Sequence, residues 1–260
     1  MDVSLDQIRK AEQRIRDFIY FSPCQLSAAL SEVTGQQVYL KLDNLQRTGA
    51  FKERGALNRI LLLSDDEKRR GVVAASAGNH AQAVAYHATQ RGVAARIVMP
   101  LMTPLVKISA TRGFGAEVIL HGANYDEACV EALRICELEG MTFLHPFDDH
   151  AVINGQGTIG LELLEQVQGL EAVVVPIGGG GLISGVACAL KEANPAIRVV
   201  GVETERLPSM LRAIENGSPV TLPAEATIAD GIAVRRAETG GASHSARGRG
   251  NPLPPIFARI

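Results

Sequence analysis

From residue 71 onward the chain alternates short β-branched apolar runs with stretches of helical periodicity, and no other feature restricts its fold as tightly. GVVAAS, ARIVMP, AEVILHG and MTFLHP read as strands, separated by the helical patterns NHAQAVAYHATQRG, TPLVKISATRGFG and NYDEACVEALRICELEG. A second series follows: the helix DDHAVINGQGTIGLELLEQVQG, the strand EAVVVPIG, the helix LISGVACALKEANP and the strand AIRVVGVE. Strands written as unbroken apolar runs are buried on both faces, which calls for parallel sheets covered by helices, an α/β fold. HPFDDH at 145–150 separates the two series, so two α/β lobes with a ligand cleft between them are expected. From Glu238 the stretch ETGGASHSARGRGNPLPPIFARI loses all apolar period and reads as an unstructured tail.

Composition removes several function classes. With 46% apolar and 21% charged residues in 260, the chain can bury a large core. A net charge of −2 and no long basic run argue against nucleic acid or a membrane surface as the main partner, because both require clustered Lys and Arg. MDVSLDQIRKAEQRIRDFIYFSP has apolar residues at helical spacing and charges throughout, unlike a signal peptide, and no segment approaches the roughly 20 apolar residues of a membrane span. Cys24, Cys129, Cys136 and Cys188 show no CxxC spacing and read as free thiols of a reducing cytoplasm.

Two strand-to-helix junctions could hold anions. Gly178, Gly179, Gly180 and Gly181 stand between a strand and a helix, where backbone N–H groups unobstructed by Cβ atoms can close around a phosphate. A tight turn is the plain alternative, and a dinucleotide fingerprint the other: Gly179 and Gly181 fit its first two positions and Glu203 its acidic one, but Ser184 replaces the third glycine. In ASAGNHAQAVAYH, Ser76, Gly78 and Asn79 can offer donors to a carboxylate, with His80 in the first helical turn; ordinary N-capping is the alternative. Lys52, in TGAFKERGALNRILLL, is either a solvated surface lysine or a desolvated amine suited to a Schiff base with an aldehyde cofactor.

Together, and in this order, KLDNLQRTGAFKERGA, ASAGNHAQ, NGQGTIG and PIGGGGLISG resemble the pyridoxal-phosphate enzymes of the serine/threonine dehydratase family, whose fold type is shared with tryptophan synthase β chains. The resemblance runs from about Ser22 to Val234. It implies a two-lobed parallel-sheet fold, with a larger cofactor-binding lobe from 1–52 and 151–237 and a smaller lobe from 53–150. It also implies that Lys52, beside Phe51, binds pyridoxal 5'-phosphate as a Schiff base and then takes the substrate's α-proton. Asn79 would bond the ring oxygen, Gly178 to Gly181 with Leu182 the phosphate, and the loop Ser76, Ala77, Gly78, Asn79, His80 the substrate carboxylate. Loss of the β-hydroxyl of L-threonine or L-serine would leave an aminoacrylate that hydrolyses to a 2-oxo acid and ammonia. A homo-oligomer is implied as well.

Serine racemases of the family carry a serine where this chain has Ala77, so elimination is expected over racemisation. The family's pyridine-nitrogen partner, a Ser, Thr or Cys, has no convincing match: Ser243 and Ser245 lie in the glycine-rich tail. The change after Ala237 reads as a truncated or frame-shifted ending, which leaves a non-catalytic remnant as a third reading beside the dehydratase and the nucleotide binder. Glu203, Glu225 and Asp230 lie near the segment where some members hold a divalent cation; they read as solvated acids, and no metal is assigned.

Overall fold

The residues VVAA form a strand, β3 (Val72–Ala75), buried along its whole length, as a strand covered on both faces must be. A computed structural model describes residues 2–237 and the backbone of 256–259. The strands β4 (Ala95–Met99), β5 (Glu117–Leu120) and β6 (Thr142–Phe143) complete a four-stranded parallel sheet in the order β5-β4-β3-β6. Successive residues of β3 face opposite sides. Val72 and Ala74 pack with Ala81, Val84 and Ala88 of α5 (Asn79–Thr89), whereas Val73 and Ala75 pack with Ala128, Ala132 and Ile135 of α7 (Tyr125–Glu139). The helix α6 (Leu105–Gly113) joins the α5 side through Ile108.

A second parallel sheet has the order β7-β8-β9, from β7 (Ala172–Pro176), β8 (Arg198–Glu203) and β9 (Ile256–Arg259). Its core is shared with α8 (His150–Gln166) and α9 (Gly181–Ala193), through Ile159, Leu163, Val186 and Leu190. Asp149 caps α8, accepting the N–H groups of Ala151 and Val152 at 2.7 and 3.1 Å. Glycines on α8 let neighbouring backbones approach: a Cβ on Gly155 would lie 2.6 Å from the carbonyl oxygen of Arg54. That oxygen belongs to α3 (Lys52–Leu61), which packs between α8 and α5. Thus the segment NGQGTIG is a packing ridge that brings Lys52's helix close.

The N-terminal part holds α1 (Leu5–Ile15), whose Ile8, Ala11 and Ile15 are buried, and an antiparallel pair, β1 (Cys24–Leu26) with β2 (Tyr39–Lys41), around α2 (Ala28–Thr34). The apolar pattern signals neither strand, because each is three residues long and mostly exposed. The polar α4 (Asp65–Arg70) rests on a capping box between Ser64 and Glu67, and α10 (Ser209–Asn216) follows β8. The composition predicts an unstructured tail over 238–260, but within it 256–259 pair in parallel with Val200–Glu203. The other tail positions, including Ser243 and Ser245, lie outside the described residues.

Candidate active site

Lys52 is the first residue of α3, and its neighbours in sequence fix it there. Glu53, 1% exposed, accepts the N–H of Thr48 and a hydrogen bond from His87 Nε2 on α5 at 3.1 Å, so the loop 48–52 is tied to the helix it precedes. Arg54, also 1% exposed, donates to Asp43 at 2.7 and 2.8 Å and to Glu162 on α8 at 2.5 and 3.0 Å. Lys41 also binds Glu162, and the Ser22 hydroxyl donates to Asp43 at 2.6 Å. Two cations and two carboxylates thereby compensate one another in the interior, which burial of charge requires.

The Lys52 amine donates to the carbonyl of Pro146 at 2.6 Å and lies 5.4 Å from the ring centre of Phe51 and 5.9 Å from that of Phe147. Burial lowers its pKa from 10.5 to about 8, because an ammonium in this apolar corner loses its hydration. The solvated-surface reading of Lys52 is excluded. A lysine with an accessible neutral form near pH 8 is a nucleophile for an aldehyde.

The loop from Ser76 ends β3 and opens α5. The Ser76 hydroxyl accepts the Gly78 N–H at 3.2 Å, Ala77 packs against the apolar core, and Asn79 is exposed at the helix start. His80 parts from them. It is 2% exposed, and its Nε2 donates to the Leu144 carbonyl at 2.9 Å, which fixes the tautomer and leaves Nδ1 as a buried acceptor without a partner among the described residues. Burial first, and then the nearby Lys52, lower its pKa to about 3. A neutral His80 so held has no N–H left for a carboxylate, so Ser76, Gly78 and Asn79 are the loop's outward groups.

Gly178 to Gly181 connect β7 to α9. Gly180 has φ +97°, a left-handed conformation that suits glycine, and the N–H groups of α9's first turn have no acceptors within the helix. A Cβ on Gly179 would fall 2.3 Å from Cγ of Phe147, and one on Gly181 2.6 Å from the Phe147 carbonyl oxygen. Phe147 therefore stands between the glycine loop and the Lys52 amine. Gly179→Ala is expected to cost about 1–3 kcal/mol by overpacking. Thermal unfolding checks this, and Phe147→Ala in the same chain should recover part of the loss.

Pro146 and Phe147 were not foreseen, since HPFDDH reads as a mere boundary; an aromatic just past the carboxyl end of a parallel strand is the signal that would have found them. Phe51 and Leu182 also line a groove of about 1110 Å³ between β2 and β7. The acids near the ATIADG segment each have partners: Glu203 accepts the N–H groups of Met210 and Leu211 at 2.8 and 2.9 Å, Glu225 pairs with Arg206, and Asp230 with Lys107. Glu203 is 3% exposed, not solvated, and serves the start of α10 rather than a ribose.

The family model described as pyridoxal-phosphate dependent enzyme matches residues 15–250. The chain belongs to that family. It is 52% identical over 234 residues to the L-threonine ammonia-lyase of Thermotoga maritima, covering 90% of this chain and 58% of that protein. It is 45% identical over 236 residues to the L-threonine dehydratase catabolic TdcB of Escherichia coli K12, covering 91% of this chain and 72% of that one. Among solved structures, the processed threonine deaminase isoform 2 of Solanum lycopersicum superposes with a TM-score of 0.90 at 37% identity, covering 100% of this chain and 76% of that one. Maize serine racemase does so with a TM-score of 0.93 at 35% identity, covering 100% of this chain and 77% of that one. The fold is thus the two-lobed parallel-sheet type of pyridoxal-phosphate enzymes. The residues suit the family's cofactor: Lys52 offers an aldehyde-reactive amine, and Gly178–Gly181 a backbone with no side chains of its own at the start of α9.

Proposed function

We propose that this chain is a pyridoxal-phosphate dependent ammonia-lyase converting L-threonine or L-serine to the 2-oxo acid and ammonia. The observation that carries the reading is the desolvated Lys52 amine, which shares Phe147 with the glycine loop at the start of α9. In this reading the loop N–H groups and Leu182 hold the cofactor phosphate, Asn79 its ring oxygen, and Ser76, Gly78 and Asn79 orient the substrate. When bound, pyridoxal phosphate supplies an electron sink for the bond broken at the α-carbon. Lys52, neutral in half the molecules near pH 8, accepts the α-proton, and Phe51 stands beside its amine. The α-proton and β-hydroxyl leave together as water, and hydrolysis of the resulting enamine returns water and yields 2-oxo acid and ammonia.

The named activities of the relatives support threonine as substrate. The likeness to a serine racemase favours a second reading, against which stands Ala77, packed on apolar residues with no hydroxyl to exchange a proton. Cytoplasmic location belongs to the proposal, supported by four cysteines without disulfides. So does a homo-oligomer, supported by the apolar Met102, Leu105 and Val106, 86%, 79% and 73% exposed. Purified protein given pyridoxal phosphate and L-threonine is expected to release 2-oxobutanoate and ammonia in equal amounts. A folded protein that takes up the cofactor and releases neither would sink the lyase reading, and D-serine formed from L-serine would establish the second.

A further inference from the structure

We propose that Phe147 is a positioning residue for this site, a wall shared by Lys52 and the glycine loop that keeps the amine out of water and shapes the loop around Gly179. The inference rests on the lyase reading but concerns a residue that reading does not require. Three contacts carry it. The ring lies 5.9 Å from Lys52 Nζ on one side and occupies, on the other, the space a side chain at Gly179 would need. Its own main chain abuts Gly181. The residue before it, Pro146, gives Lys52 its hydrogen-bond acceptor, so one short turn sets both the direction of the amine and its surroundings.

That turn is itself braced. His145 Nδ1 accepts the N–H groups of Phe147 and Asp148 at 3.3 and 2.7 Å, and the His145 ring meets the Phe147 ring edge-on at 4.8 Å. The turn begins where β6 ends, and Leu144, 0% exposed, ties His80 through its carbonyl. His80, from α5, is close enough to Lys52 for the lysine's charge to act on it, and His145 of this turn acts on His80 in the same way. Glu53, next along α3, is engaged by His87 and Thr48 instead. His80 stays neutral, and the amine's reduced basicity comes from loss of its hydration on burial. Phe147 supplies part of that burial and touches the glycine loop as well, so it couples the two halves of the site.

The test titrates Lys52 in the full chain without cofactor, by competitive acetylation with acetic anhydride from pH 6 to 11 and mass quantification of the Lys52 peptide. Removing the wall in Phe147→Ala or Phe147→Asn is expected to raise the Lys52 midpoint by about one unit, which lowers its labelling rate at pH 8 about fivefold. Phe147→Leu, which keeps an apolar cover, should hold the midpoint near that of the parent. If Phe147→Ala does not fold, the contrast of Asn with Leu decides. A lowered Lys52 midpoint that none of the folded variants moves overturns the role of Phe147 and leaves the lyase reading standing. A Lys52 that titrates like a surface lysine in the parent overturns the reading of Lys52 itself, and this inference with it.

Discussion

Lys52→Ala is expected to abolish both the borohydride-trapped attachment of pyridoxal phosphate and the release of 2-oxobutanoate, because Lys52 is the desolvated amine that shares Phe147 with the glycine loop. The loss should exceed about a thousandfold in kcat, since the residue serves as both point of attachment and base. Absorbance of the cofactor-treated protein and a 2-oxo acid assay check it; attachment elsewhere at undiminished activity refutes it. The same site should show a cost in stability. A lysine at about 8 in the fold and about 10.5 unfolded destabilises the cofactor-free protein wherever the unfolded chain holds the proton more tightly. That penalty is complete below pH 8, shrinks as pH rises from 8 to 10.5, and is absent above. Lys52→Met, which keeps the stem without the amine, is therefore expected to be more stable than the parent at pH 7, by on the order of 3 kcal/mol. Urea unfolding at several pH values should show the gap closing by about pH 10.5.

Arg54→Met is expected to be the most damaging substitution to the fold. It strands Asp43 and Glu162 with only Lys41 to balance them, and removing one partner of a buried pair costs about 3–5 kcal/mol. For a chain of this size that is a fall on the order of 10 °C in Tm. Burial opposes the charge on Asp43, but hydrogen bonds from Arg54 prevail and hold its carboxyl below the usual range. A carboxylate so held contributes stability above its unfolded pKa of about 3.9 and loses it as pH falls through the lower folded value. The variant lacks that contribution, so the difference in Tm between parent and variant should narrow below about pH 4. A parent and variant of equal Tm at pH 7 would show that the charges are not sealed from water.

The strand β3 is legible in the sequence because a parallel strand covered on both faces must be apolar throughout, and β5, β7 and β8 share that apolar spelling although one face of each is partly open. The pair β1 and β2 is not legible, being short and exposed, and neither is the strand at 256–259, whose partner lies more than 50 residues earlier in β8. Within the site, Lys52 became legible only beside two anion-binding junctions. His80 read as a donor to substrate, but a carbonyl 64 residues away turns it inward. Arg54 and Glu162, 108 residues apart, look like surface charges until the fold brings them together. Phe147 gains its meaning from glycines 32 and 34 positions later. Local pattern thus carries the scaffold, while the chemistry rests on contacts that no local pattern records.

The helix α1 has a consequence for how the chain comes off the ribosome. Its apolar face, Ile8, Ala11 and Ile15, finds cover on α3, where Ile15 meets Leu57, and on α8 and α9, and the N–H of Leu5 finds Glu192 at 2.9 Å. At about 5–20 residues per second, the roughly 150 residues between α1 and the end of α8 take on the order of 10–30 s to synthesise. The sheet β5-β4-β3-β6 is contiguous in sequence and can form during that interval, whereas the part of α1 that packs on α8 and α9 must wait for its cover. Part of α1 is thus sealed only by helices made after the whole of that sheet.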